Sequence, residues 1–220
     1  MLLYNGEPQA SFETMPQREF ANLVRERFTK PVTVIGVDGR SGGGKTTLAL
    51  NLATQLGATL LSTDDFAWWH SLFDWPEMLI ENGLKPLAAG NDIAFNPPAW
   101  TERGRAGAIV AQANPVIVVE GVGATQASMR PHLDLCVWVQ SDAIAAKERG
   151  LIRDAAERPD PAEAERFWNE WQAAENDFQA QQQSWLSAQF TVCGTPESLP
   201  NFATHDFQDS KPQDQIWLAR

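Results

Sequence analysis

Long apolar runs are missing from this chain of 220 residues. Its most uniformly apolar segments, such as Val116-Ile117-Val118-Val119, are four or five residues long. A helix needs about 20 such residues to cross a bilayer, so no membrane partner is expected. The segment Met1-Leu2-Leu3-Tyr4-Asn5-Gly6-Glu7 lacks the basic and apolar regions of a secretory signal, and a cytoplasmic protein is the expectation. Cysteine is scarce: Cys136 and Cys193 lie far apart, each within an apparent strand, and read as core filling. Histidine is scarce too, and His70, His132 and His205 show no metal-ligand spacing. Positive charge is in deficit, with 17 Lys and Arg against 28 Asp and Glu and a net charge of −11. Neutralising the phosphates of duplex nucleic acid requires a basic surface, so that class of partner is excluded. A local basic pocket for one small phosphate ligand remains compatible with an acidic exterior.

What is present is a complete phosphate-binding signature. Gly39-Arg40-Ser41-Gly42-Gly43-Gly44-Lys45-Thr46 matches G-x-x-x-x-G-K-[ST]. The β-branched run Val32-Thr33-Val34-Ile35-Gly36-Val37 before it reads as a buried parallel strand. After it, Leu48, Leu52 and Leu56 share one helical face, and Gly57 stands as a C-cap. Strand, glycine loop and helix together aim backbone N–H groups and a helix N-terminus at phosphate. Gly39, Ser41, Gly42, Gly43, Gly44, Lys45, Thr46 and Thr47 are therefore the candidate nucleotide-binding residues. Lys45 would reach the β- and γ-phosphates, and the Thr46 hydroxyl would ligate Mg²⁺. No N-K-x-D sequence is present, which weighs against a GTPase, and no L-S-G-G-Q, which weighs against a transporter ATPase.

Strands and helices alternate along the rest of the chain. Further strands are expected over 58–62, 116–120, 133–139 and 189–193, and helices over 16–29, 142–156 and 162–187. Residues 1–15 read as irregular, and no structure is assigned to the tail 200–220. Such alternation predicts an α/β fold: a P-loop NTPase three-layer sandwich with a central parallel sheet and helices on both faces. One domain over 1–220 is expected, with an aromatic-rich insertion over about 66–108, partly helical around 77–83, and a short lid over about 155–162.

Ligands of such sheets bind at the carboxyl ends of the strands. Asp64, Asp65, Glu120 and the Gly194 loop each follow directly on a strand. Asp64 can take the proton of an acceptor hydroxyl; with Thr46 and Glu120 it also belongs to the candidate metal side. Asp65 suits acceptor contact or a helix cap equally well. Arg149 and Arg153, four apart on one helix face, and Arg158 in the lid can supply cations to a transferring phosphate. The insertion holds Trp68, Trp69, Phe73, Trp75, Phe95 and Trp100. These rings offer stacking faces for a nucleobase or form the insertion's own small core. Phe66, Trp69 and Asp74 are the candidate acceptor contacts there. Ala164, Trp168, Trp171, Glu175, Phe178, Gln182 and Trp185 form one stripe of the long helix. Glu175 does not belong on a buried face unless it pairs with a cation, with Arg149, Arg153 or Arg158 nearest in the inferred fold, or faces the acceptor.

The P-loop, Leu61-Ser62-Thr63-Asp64-Asp65-Phe66, Glu120-Gly121-Val122 and the Arg149–Asp154 segment together resemble the uridine kinase and phosphoribulokinase group of P-loop kinases over roughly residues 32–195. The Trp168–Trp171–Glu175–Phe178 pattern is similar to an actinobacterial-type uridine kinase-like branch. The resemblance implies that Asp64 is the base for a ribose 5′-hydroxyl. It implies that Asp74, in Phe73-Asp74-Trp75-Pro76, binds ribose hydroxyls, and that Arg149, Arg153 and Arg158 bind phosphates. Two departures stand out: Ala67 replaces a usual tyrosine, and the family's tyrosine-bearing base-binding hairpin has no evident match around Phe95–Trp100. The expected activity is ATP- and Mg²⁺-dependent phosphorylation of a small-molecule acceptor, a nucleoside resembling uridine or cytidine. The alternatives are a kinase for another sugar or vitamin alcohol and a nucleotide-sensing protein without turnover. A homodimer is compatible with the sequence.

Overall fold

The computed structural model describes residues 1–204, 211 and 214–220; His205, with 206–210 and 212–213, lies outside the described residues. Chain order is β1 (Phe12–Pro16), α1 (Gln17–Arg25), β2 (Thr33–Gly39), α2 (Lys45–Leu56), β3 (Thr59–Ser62) and α3 (Thr63–Ala67). There follow α4 (Pro76–Leu79), a π-helical turn (Ile80–Leu84), α5 (Lys85–Ala88), β4 (Ile93–Phe95), α6 (Pro98–Glu102) and β5 (Ile109–Ala111). The chain continues with β6 (Val116–Glu120), β7 (Leu135–Gln140), α7 (Ala143–Asp154), α8 (Pro161–Gln182), β8 (Phe190–Cys193) and β9 (Gln215–Ala219).

The main sheet has the order β1-β9-β8-β7-β2-β6-β3. Strands β3, β6, β2, β7 and β8 are mutually parallel, whereas β9 runs antiparallel to both β8 and β1. The sheet is thus largely parallel, with an antiparallel edge pair that the sequence reading omitted. Residues 12–16, read as irregular, and 215–219, left unassigned, pair with each other. Strands β4 and β5 form a separate two-stranded ribbon, so an antiparallel ribbon does occupy the region where none was evident. The helix expected to reach residue 29 ends at Arg25, and the helix expected to reach 187 ends at Gln182. There Gln183 adopts a left-handed conformation (φ 44°) and a 3₁₀ turn takes over Ser184–Ser187.

Every residue of β2, β6 and β7 is buried, as two covered faces require. Ile35, Val37, Val118, Val137 and Val139 pack under α1 and α2 with Phe20, Val24, Leu48 and Leu52. Their neighbours Val34, Ile117 and Val119 face the insertion, whose core is Phe66, Trp75, Leu79, Leu87 and Trp100. Phe66 and Trp75 are therefore structural rings, closed to a ligand by their own packing, and Trp100 is buried beside them. Burial pushes the Cys136 thiol up to about 11 and the Cys193 thiol up to about 12, leaving both protonated fillers at neutral pH. Among the described residues, no helix is long and apolar enough to cross a membrane.

The register aligns the functional strand ends. Val37 and Ser62 both lie opposite Glu120, Gly39 lies opposite Val139, and Gln140 opposite Cys193. The P-loop, the Thr63 turn, Gly121 and Gly194 consequently emerge at one edge.

Candidate active site

A cavity of about 530 Å³ opens at that edge. Its floor is the P-loop, built by Ser41, Gly42, Gly44, Lys45, Thr46 and Thr47. Gly39 and Gly43 shape the loop from behind. Gly43 N–H donates to Arg40 O at 2.9 Å, and the Lys45 ammonium donates to the same carbonyl at 3.0 Å. Gly42 has φ +70°, and a Cβ on it would collide with the Ala146 carbonyl of α7, so only glycine fits this bend. The loop runs into α2, whose first-turn N–H groups have no intrahelical acceptors and face the same space.

Two carboxylates line the cavity in different surroundings. Glu120, at the end of β6, is buried; its Oε2 accepts from Thr46 Oγ1 at 3.2 Å and its Oε1 from Ser62 Oγ at 3.1 Å. Burial raises its carboxyl above the usual range, with Lys45 opposing and Asp64 adding to the rise. Asp64, in the first turn of α3, is exposed to the cavity. Asp65 turns the other way. It pairs with Arg105 at 2.7 Å, and its carbonyl accepts from Trp100 Nε1 at 3.0 Å, so it ties α3 to the insertion.

The cations separate likewise. Arg149 and Arg153 both line the cavity. Arg149 is braced by Gly194 O at 2.7 Å and Glu197 at 2.6 Å. Arg153 is hydrogen-bonded to Asp154 at 2.7 Å, which holds its guanidinium further above its ordinary range. Arg158 lies away from the cavity, 3.7 Å over the ring of Phe167. Beyond the phosphate end, the cavity continues past Asn51 to Gln17, Phe202, Gln215 and Ile216.

Residues of the insertion expected at an acceptor are dispersed. Phe66 is fully buried against Phe95, with ring centroids 6.1 Å apart. Trp69 is 65% exposed under the Arg103 guanidinium. Asp74 is exposed beside Phe73. Phe73 itself stacks on Phe178 of α8 with centroids 4.0 Å apart, and Trp171 lies 5.8 Å away. Phe178 abuts Gly123, one residue from Val122 of the cavity wall.

Glu175 is 1% exposed, but its expected partners are not Arg149, Arg153 or Arg158, each of which is engaged elsewhere. Instead its Oε1 accepts from the Ser41 N–H at 2.8 Å and the Tyr4 hydroxyl at 2.7 Å, because α8 passes behind the P-loop rather than over the lid. Asp38 was missed altogether. It is fully buried and accepts from the N–H groups of Gly39, Gly123 and Thr125 and from the Thr125 hydroxyl, all within 3.0 Å. It thereby locks the Gly121–Thr125 turn beside the P-loop. A carboxylate inside the apolar run of β2 was the available signal, since a buried charge demands partners.

No protein-family model matches the chain. It is 30% identical over 145 residues to the uridine kinase of Staphylococcus haemolyticus, a match covering 57% of this chain and 70% of that protein. It is 30% identical over 152 residues to the uridine kinase of Halobacterium salinarum, covering 60% and 66%. A uridine-cytidine kinase D of Dictyostelium discoideum is 26% identical over 141 residues, which are 29% of that longer protein. In fold, the chain is similar to a possible uridine kinase from Bacillus stearothermophilus, with a TM-score of 0.55 and 18% identity over 80% of this chain and 96% of that one. With its P-loop, strand-end carboxylates and arginines converging on one cavity, this chain belongs to the uridine kinase family of P-loop kinases, phosphotransferases with an alcohol group as acceptor.

Proposed function

We propose that the protein is an ATP- and Mg²⁺-dependent kinase that transfers the γ-phosphate to a hydroxyl of a nucleoside resembling uridine or cytidine. One observation carries this reading: the Asp64 carboxylate opens into the cavity that also presents Lys45, Thr46, Glu120, Arg149 and Arg153. The triphosphate lies along the P-loop amides and the α2 N-terminus. Its nucleoside extends toward Asn51, Phe202 and Gln215. Asp64 accepts the proton of the acceptor hydroxyl as its oxygen bonds to the γ-phosphorus and the bond to the leaving diphosphate breaks. Lys45, Arg149 and Arg153 offset the charge on the phosphoryl oxygens.

Thr46 and Glu120 fit a magnesium ion, with Asp64 beside them. Their oxygens already meet at 3.2 Å, and the Glu120 carboxylate sits in a buried position that a cation would favour. No cluster of three or more acidic, His or Cys ligands occurs among the described residues. When bound, the ion would supply positive charge to the phosphates, with Thr46 and Glu120 as the residues that would hold it.

The nucleoside reading is supported by the named relatives and by the exposed side of the site region, where Phe73 stacks on Phe178 and Phe178 abuts Gly123, next in sequence to Val122 of the cavity. On this reading Asp74, exposed beside Phe73, accepts hydrogen bonds from ribose hydroxyls once the acceptor is bound. We read residues 1–220 as one kinase unit working in the cytoplasm. An ADP-release assay with ATP and Mg²⁺ against uridine, cytidine, their deoxy forms and sugar alcohols tests the proposal. Ribonucleosides should give the fastest turnover, and Lys45→Ala should abolish it while thermal unfolding stays cooperative. Turnover confined to a sugar alcohol, or none with any acceptor, would overturn it.

A further inference from the structure

The N-terminal segment has little regular structure before β1, yet it is strapped to the sheet by side chains. Leu2 N–H donates to Asp142 Oδ2 at 2.6 Å, and Ala143 N–H donates to Leu2 O at 2.9 Å. Glu7 is buried and accepts from Trp138 Nε1 at 2.7 Å, Gln140 Nε2 at 2.8 Å and the Tyr4 N–H at 3.1 Å. These anchors bury Tyr4, the chain's one tyrosine, in a stack with Trp185 and beside Trp138. The Arg40 guanidinium of the P-loop lies 3.7 Å from the centroid of the same ring.

From this fixed ring the hydroxyl reaches Glu175 on α8, and the carboxylate oxygen that receives it also receives the Ser41 N–H. A hydrogen-bonded chain thus runs from the N-terminal segment through α8 into the phosphate-binding loop. Glu175 is a costly group for packing alone, because burial disfavours its charge, with Lys45 and Arg40 opposing, and its Oε2 has no hydrogen-bond partner. What it achieves is directional. It draws the Ser41 amide toward α8, while Gly42, Gly44, Lys45 and Thr46 line the cavity. We propose that Tyr4 and Glu175 are positioning residues of the donor site: the N-terminal segment and α8 together clamp the Ser41 amide and preset the P-loop for the donor's phosphates.

Hydrogen exchange of the Ser41 amide in the ligand-free protein tests the clamp directly. Tyr4→Phe keeps the ring and removes the hydroxyl; Glu175→Leu removes both acceptors; Glu175→Gln keeps one acceptor oxygen. Exchange at Ser41 should accelerate by at least about tenfold in Glu175→Leu, the scale of one hydrogen bond lost to a charged group, and by about threefold in Tyr4→Phe, which keeps that bond but loosens its acceptor. Glu175→Gln should fall between wild type and Glu175→Leu, and amides of β6 and β7 should not change. The affinity arm rests on ATP being the donor. There Tyr4→Phe should raise the KM for ATP several-fold and leave the acceptor KM within about twofold, a split that general loosening would not produce. Unchanged exchange at Ser41 in Tyr4→Phe, or equal acceleration throughout the chain, would overturn the clamp. A wild-type protein that does not bind ATP would instead overturn the proposed function, while the exchange result would still decide the clamp. Should Glu175→Leu not fold, Tyr4→Phe and Glu175→Gln decide it.

Discussion

Asp64 and Glu120 face one cavity, but the protein treats them differently. Asp64 is exposed to the space an acceptor would enter, whereas Glu120 is buried and holds the hydroxyls of Thr46 and Ser62. Asp64→Asn should therefore lower kcat by at least about 100-fold, the scale of a lost general base, with little change in melting temperature. Steady-state kinetics and calorimetry on the same preparation check both halves. Glu120→Gln should act on stability. Burial raises the folded carboxyl above its unfolded value, so the folded state binds the proton more tightly and loses stability as pH rises through the folded pKa. Without added metal, the Gln variant should melt higher than wild type at about pH 7, and the gain should shrink toward about pH 4, where the wild-type carboxyl is protonated. A gain that grows in acid would contradict the assignment. Lys45, Asp64 and Glu120 were legible because each directly follows a strand or sits in a motif. The partners of Glu175 were not. Its periodicity placed it on an inner face, but Tyr4 is 171 residues away in sequence and no local pattern points there.

Among the elements, the P-loop depends on its neighbours as much as on its own glycines. A Cβ on Gly194, in the loop after β8, would collide with the Gly43 carbonyl. Gly194→Ala should therefore displace the P-loop and weaken ATP binding at least about tenfold, the consequence of backbone that cannot yield in a packed interior. Gly57→Ala is the contrast. Its Cβ would meet nothing, but its φ of +66° costs a non-glycine residue about 1 kcal/mol, so stability alone should fall. Titration calorimetry with ATP beside thermal melts separates the two. Equal losses of affinity in both variants would contradict the close approach. The strand before the P-loop was readable from its β-branched run, and the end of the following helix from Gly57. Strands β1 and β9 were not, because each is a five-residue segment of mixed composition that gains its partner from the far end of the chain. Strands β4 and β5 pair with each other but were hidden because each is only three residues long, too short to show an alternating pattern.

For the molecule as a whole, the acidic exterior and the cationic cavity are compatible because the charges are sorted by place. Lys45, Arg149 and Arg153 meet at the strand ends of a chain whose net charge is −11. That convergence follows from the parallel register, and the register follows from wholly buried strands covered on both faces. The insertion shows where sequence reasoning lost its hold. Rings that offered faces to a base mostly became core, and only the Phe73–Phe178 stack stands next to the cavity wall. The most direct test of the account is mass-detected phosphate transfer from γ-¹⁸O-labelled ATP to uridine, with and without Mg²⁺, in wild type and Asp64→Asn. Wild type should form labelled uridine monophosphate one-to-one with ADP and only with Mg²⁺, and the variant at least about 100-fold less. Labelled inorganic phosphate without nucleotide product, or equal product from both proteins, would contradict it.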